Sequence, residues 1–206
     1  PKASLLDFKT FKKILTSDKN FRSYLISRSF AFMGNMAMGF LAVYAVKRFD
    51  LADEQAAIFT GLLFLSGIIG YAVWGVLGDK IGPKRILIIS WAIWMGALIV
   101  AIISPTPWIY YGVFLLLGLS SAGGILGDII LVMELGNENQ RPAYLGLART
   151  LPGIFLLIAP LLAGGVISLS NSYPLMFAIS LVFSGLGIVF LLRVKDRERA
   201  KKYKLN

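Results

Sequence analysis

The chain has 206 residues, 57 % hydrophobic and 16 % charged, with a formal charge of +10 at pH 7 and a mean hydropathy of +0.73. A soluble domain of this length has too little interior to bury so much apolar surface, which places the chain in a membrane. Cysteine and histidine are absent, excluding disulfides, thiolate or imidazole metal centres and any Ser–His dyad.

Segment 1–22 is basic and amphipathic. Leu5, Phe8, Phe11 and Leu15 share a helical face and Lys9, Lys12 and Lys13 lie off it, while Ser4 with Asp7 three residues on has the form of a capping box. The pattern predicts a short helix on the cytoplasmic membrane surface, with a flexible basic linker as the alternative. The segment lacks the basic, apolar, small-residue order of a secretory signal.

Six apolar runs follow, at 23–46, 55–77, 86–103, 108–135, 143–168 and 175–192. Each is close to or above the ~20 helical residues that cross a bilayer core. The connections are short and rich in turn residues, as in SPTP (104–107) and LSNSYP (169–174). The expected organisation is all-α: a linker over 1–22, a bundle of six transmembrane helices over 23–193 and a basic cytoplasmic tail over 194–206. No length remains for a separate soluble domain.

The basic excess is an orientation signal rather than a nucleic-acid footprint. Six Lys/Arg precede Ser23, seven follow Leu192, Lys80, Lys84 and Arg85 lie in the second connection and Arg141 in the fourth. The third and fifth connections have none. By the positive-inside rule both termini and the even-numbered connections are cytoplasmic in a cell membrane, with anionic lipid as a partner. Lys47 and Arg48 in the first connection are the exception, partly offset by Asp50, Asp53 and Glu54.

Asp128 is the only acid deep inside a run, with Glu134 near the end of the same one. An aspartyl dyad needs two facing carboxylates, so an enzyme is a poor fit. Solute movement, a pore or a scaffold remain, and none of these needs an organic cofactor or a metal.

The stretch GDKIGPKR (78–85) places four charges and two glycines between the second and third runs. Extended backward it reads Gly75-Val-Leu77-Gly78-Asp79-Lys80-Ile-Gly82-Pro83-Lys84-Arg85. Glycine permits a sharp turn, and Asp79 could cap backbone N–H groups or sit at a helix N-terminus. The stretch resembles the loop signature G-x-L-x-D-[RK]-x-G-[RK]-[RK] of the major facilitator superfamily. Gly75, Leu77, Asp79, Lys80, Gly82 and Lys84 match. Pro83 departs from the pattern, and Arg85 stands one position after the usual basic residue. ELGNENQRPAYLGL (134–147) looks like the family's helix 4–5 loop, and APLLAGG (159–165) like a degenerate form of a small-residue run on its fifth helix.

The resemblance implies an inverted 3+3 repeat and a secondary active transporter that moves a small solute by alternating access. It also implies a partner, the other six-helix half. The Pro1 start and the basic amphipathic segment suit the C-terminal half. A standalone half that homodimerises is the alternative, and a six-helix scaffold or lipid-handling protein is the rival class. The resemblance makes Gly75, Asp79, Lys80, Gly82, Lys84 and Arg85 a cytoplasmic latch.

In such repeats the first helix of each triplet lines the pathway and carries interruptions. The first run contains FMGNMAMGF (32–40), with Asn35 ~18 Å from Ser23. The fourth contains GLSSAGGILGD (118–128), where Ser121, Gly124 and Asp128 share a face and Gly123 and Gly127 form a close-packing pair. Asn35 and Ser121 are therefore pathway candidates, though Asn35 could equally make an interhelical hydrogen bond. Arg28, Asp128 and Arg149 lie ~8–10 Å inside the same end. Unpaired charges in lipid are costly, so the expectation is that Asp128 neutralises Arg28 or, preferentially, Arg149 in a gate, with snorkelling as the alternative for each arginine. Glu134 is expected to pair with Arg141. Asp128 and Glu134 are the acids that could carry a coupling proton. Tyr44, Tyr71, Trp74, Trp91 and Trp94 receive no assigned role.

Overall fold

The computed structural model describes residues 8–136 and 138–195. Ser4, Leu5 and Asp7, and with them the expected capping box, lie outside the described residues, as does the tail beyond Lys195. The described residues form eight α-helices and no strand, and six helical segments are long and apolar enough to cross a membrane.

Helix α1 (Phe8–Ser17) is docked rather than free: Ile14 is buried, and the helix packs on α2 (Lys19–Gly34) and α7 (Arg141–Ser170). Helix α2 begins four residues before the apolar run at 23. Asp18 explains the early start. Its Oδ1 accepts from the Phe21 N–H at 2.9 Å, filling one of the orphan donors of a helix start. The Tyr144 hydroxyl donates to Oδ2 of the same carboxylate at 2.8 Å, tying this cap to α7.

The first span runs over Lys19–Phe49 and is not one continuous α-helix. It tightens to a 3₁₀ segment at Asn35–Phe40 and resumes as α3 (Leu41–Phe49). Gly34, at the change, lies against α8 (Tyr173–Leu192) so closely that a Cβ there would stand 2.2 Å from Ser184 Oγ. The Ser180 hydroxyl of α8 donates to the Gly34 carbonyl. The fourth span, expected to share this irregularity, is instead the unbroken helix α6 (Pro107–Leu135).

Helices α4 (Gln55–Ile81) and α5 (Pro83–Ile103) are joined by Gly82 alone, at φ 83° and ψ 159°. Glycine adopts this backbone without a Cβ penalty. Pro83 then occupies the first turn of α5, where its missing N–H costs nothing. The charged turn expected over 78–85 is thus compressed to one residue. Asp79 and Lys80 close α4, and Lys84 and Arg85 open α5. Asp79 is exposed near a helix C-terminus and makes no hydrogen bond or ion pair among the described residues, which corrects the expectation of a cap or a helix N-terminus. Lys84 makes the contact with a neighbouring helix end. Its ammonium donates to the Leu192 and Val194 carbonyls at 3.0 and 2.5 Å, where the end of α8 leaves acceptors unpaired.

Arg48, an exception to the charge asymmetry, does the same at the opposite end. It donates to the Ala101 and Ile102 carbonyls of α5 at 3.2 and 2.9 Å and to the Tyr44 hydroxyl at 2.8 Å.

Helix α6 packs along α4 and α5, while α2 packs along α7 and α8, and α5 meets α8. Small residues set the first group. A Cβ on Gly118 would stand 2.1 Å from the Leu63 carbonyl oxygen, and one on Gly123 would lie 2.1 Å from Ser90 Oγ. One on Gly127 would stand 3.0 Å from the Pro83 carbonyl oxygen. The expected Gly123/Gly127 pair therefore packs on α4 and α5. Aromatics fill one end of the core, where Tyr44, Phe59, Tyr110, Phe114 and Phe177 cluster. Phe21, Tyr24, Trp91 and Tyr144 fill the end that carries Asp18 and Lys84.

Candidate functional site

A cavity of about 420 Å³ opens between the two helix groups. Spans one and six supply Arg28, Phe32, Asn35, Met38 and Ser184, and α5 supplies Trp91 and Trp94. Ser121 and Gly124 come from α6, and Arg149, Gly153 and Leu156 from α7. Asn35 and Met38 reach the wall from the 3₁₀ segment, and Asn35, seven residues after Arg28 on the same helical face, is exposed. No hydrogen bond engages the Asn35 side chain among the described residues. Gly124 and Gly153 have no atom within 4 Å of where a Cβ would stand, so the wall beside them is open.

Asp128 lies behind this wall and not on it, at 2 % exposure. Its Oδ1 stands 3.2 Å from Arg28 Nε and also accepts the Tyr24 hydroxyl, and its Oδ2 stands 3.6 Å from an Arg149 terminal nitrogen. Three helices therefore converge on one carboxylate: α2 with Tyr24 and Arg28, α6 with Asp128 itself and α7 with Arg149. Asp128 pairs with both arginines, so the expected pairing with Arg149 is present without being the closer one. Arg28 is the nearer partner because its side chain is buried, with the guanidinium 4.4 Å above the Phe32 ring. Arg149 keeps 51 % of its side chain exposed. A buried carboxylate without partners would be costly. Here one acid faces two cations and a phenol, so the cluster carries a formal +1.

Two contributors escaped the sequence. Tyr24 precedes Arg28 by four residues and so shares its helical face, which is the signal that would have found it. Asp18 stood in the segment taken as linker. The helix cap it makes with Phe21 and its bond to Tyr144 show that the packed bundle starts earlier. Trp91 and Trp94, left without a role, line the cavity, whereas Trp74 donates its indole N–H to the Leu119 carbonyl of α6 at 2.8 Å. Arg141 Nε donates to the Met133 carbonyl at 3.3 Å. Gly75, Asp79, Lys80, Gly82, Lys84 and Arg85 sit together at the α4–α5 junction, away from the cavity wall.

The chain is similar to a gentisate transporter of Corynebacterium glutamicum, 31 % identical over 144 residues, covering 68 % of this chain and 32 % of that protein. It is also similar to the probable nitrate transporter NarT of Staphylococcus epidermidis, 26 % identical over 193 residues, 88 % of this chain and 48 % of that protein. The chain thus spans about a third to a half of the length of these curated relatives. The family description Major Facilitator Superfamily matches residues 24–205. With six helices long and apolar enough to cross a membrane and a family match across nearly its whole length, the chain belongs to the major facilitator superfamily.

Proposed function

We propose that this chain is one six-helix half of a secondary active transporter that moves a small solute across a cell membrane by alternating access. The carrying observation is the cavity. A bundle that only anchors or scaffolds has no reason to gather Arg28, Asn35, Ser121 and Arg149 around one cavity in an apolar setting. A scaffold or lipid-handling protein would instead be apolar all round.

The packing pattern supports an inverted 3+3 repeat. Exchanging spans one and four, two and five, and three and six maps each major contact onto another. The first span on the fifth becomes the fourth on the second, and the first on the sixth becomes the fourth on the third. The greater length of the relatives, named for gentisate and for nitrate, supports a second bundle as partner.

In this reading both termini and the α4–α5 junction face the cytoplasm. Lys84 holds the end of α8, and exposed Asp79 is free to meet the partner half when that side closes. The Asp128 cluster then serves as the inner gate, and proton coupling would run through Asp128.

The test is uptake into proteoliposomes by the complete gene product, across inorganic anions, organic acids, amino acids and sugars. Asp79→Ala serves as a latch variant and Asp128→Asn as a gate variant, each first checked for a monodisperse elution profile. Solute uptake that both substitutions slow is expected. A well-folded protein that moves nothing in the panel sinks the proposal.

A further inference from the structure

The charges on the cavity wall have one sign. Arg28 and Arg149 line it, and among the described residues no carboxylate does, since Asp128 is buried behind them. That single carboxylate is shared unequally. Oδ1 accepts the Tyr24 hydroxyl and stands 3.2 Å from Arg28 Nε as an ion pair without a hydrogen bond, whereas the Arg149 contact to Oδ2 is longer, at 3.6 Å, and its side chain is half exposed. Arg149 is therefore the surplus cation. A cation next to a low-dielectric wall attracts a counter-ion far more strongly than one in water.

The surroundings of Arg149 suit such a ligand. Gly153 on its own helix and Gly124 on α6 leave the space beside it open. Ser121 brings a hydroxyl to the wall. Trp94 belongs to the same wall, and its indole N–H, itself buried, has no hydrogen-bond partner among the described residues. Donors thus outnumber acceptors around a cationic centre. A guanidinium presents paired N–H groups in a plane, a shape that a planar oxyanion meets at two points. A formal +1 cluster is neutralised by a single negative charge.

We infer that the cavity binds a small planar monoanion, a carboxylate or a nitrate-like oxyanion, with Arg149 as its direct ligand and Arg28 retained by Asp128 as the fixed charge behind it. This deepens the transporter reading by naming a substrate class, and rests on it for the claim that the bound anion is cargo.

The test is calorimetric titration of the complete gene product in neutral detergent with nitrate, benzoate, benzamide and benzylammonium. Saturable binding of nitrate, benzoate or both is expected, with none for the neutral and cationic analogues. Binding of nitrate alone assigns an inorganic anion, and of benzoate alone an organic acid. Arg149→Gln should weaken the anion by about tenfold or more, with Arg149→Lys between it and wild type because it keeps charge without the fork. The melting temperature should barely move in either variant, which separates a ligand from a structural residue. The inference is overturned if benzamide or benzylammonium binds as tightly as benzoate, if Arg149→Gln keeps full affinity, or if neither anion binds a cooperatively melting protein. Anion binding with no uptake into vesicles would leave this assignment standing and remove the transport reading. Uptake of a neutral or cationic solute, unaffected by either anion, would do the reverse.

Discussion

Helices α6 and α7 look alike as sequence and behave differently as structure. They have 29 and 30 residues and comparable apolar character, yet 50 % of the apolar stretch of α6 is buried and only 11 % of that of α7. Their glycines divide the same way. On α6, Gly118, Gly123 and Gly127 are pressed against α4 or α5 while Gly112 and Gly124 are open, whereas all four glycines of α7, Gly146, Gly153, Gly164 and Gly165, have no neighbouring element within 4 Å of a Cβ position. The prolines of α7, Pro152 and Pro160, sit within a helix whose outer face is largely unpacked. Hydropathy reports that a helix can lie in a membrane and says nothing about which neighbour it meets. Close approach of small residues decides that. One helix is packed between its neighbours α4 and α5, and the other offers most of its surface outward.

The ion cluster gives the sharpest way to break this contrast, because its carboxylate comes from α6 and its exposed cation from α7. Asp128→Ala should cost about 3–5 kcal/mol, since it leaves the buried Arg28 guanidinium without a counter-charge. Arg149→Ala should cost no more than about 1 kcal/mol, as expected for a half-exposed ion pair. Thermal melting in detergent compares the two, and equal losses would erase the asymmetry. Gly118→Ala on α6 should cost about 1–3 kcal/mol by overpacking against the Leu63 carbonyl, read as a lower melting temperature and a reduced monodisperse yield. Tyr24→Phe removes one donor to Asp128 and leaves the ion pairs in place. A loss of about 1–2 kcal/mol is expected, and a loss as large as that of Asp128→Ala would mean that the phenol, not Arg28, holds the carboxylate. Gly164→Ala on α7 should fall within about 0.5 kcal/mol of wild type. A clear destabilisation there in the complete gene product, set against no effect in the isolated bundle, would locate a second surface packed on α7.

Much of the fold was legible because the lipid solvent imposes it. A chain that must satisfy its backbone internally over ~30 Å shows that requirement as runs of about 20 apolar residues. Helix ends were partly legible, since Pro107, Pro174 and the SPTP and LSNSYP turns mark them. Arg28, Asp128 and Arg149 could be placed at one depth from the helical rise alone, and the structure brings the three within ion-pair distance. Depth carries no information on rotation, so the unequal sharing of Asp128 was out of reach. The early start of α2 was missed because a polar cap residue, Asp18, looks like linker until its hydrogen bonds are seen.

The amino-acid sequence by itself determined that this is a six-span membrane protein with its charges biased to one end and a family signature between its second and third spans. Apolar length, net charge and local turn chemistry are properties that a linear chain displays directly. Only the tertiary structure decided that Gly82 alone makes the turn, that Lys84 rather than Asp79 ties down a neighbouring helix, and that Arg149 stands as the surplus cation on a cavity wall. Those outcomes depend on which helix faces meet, and that is set by packing between residues far apart in the chain.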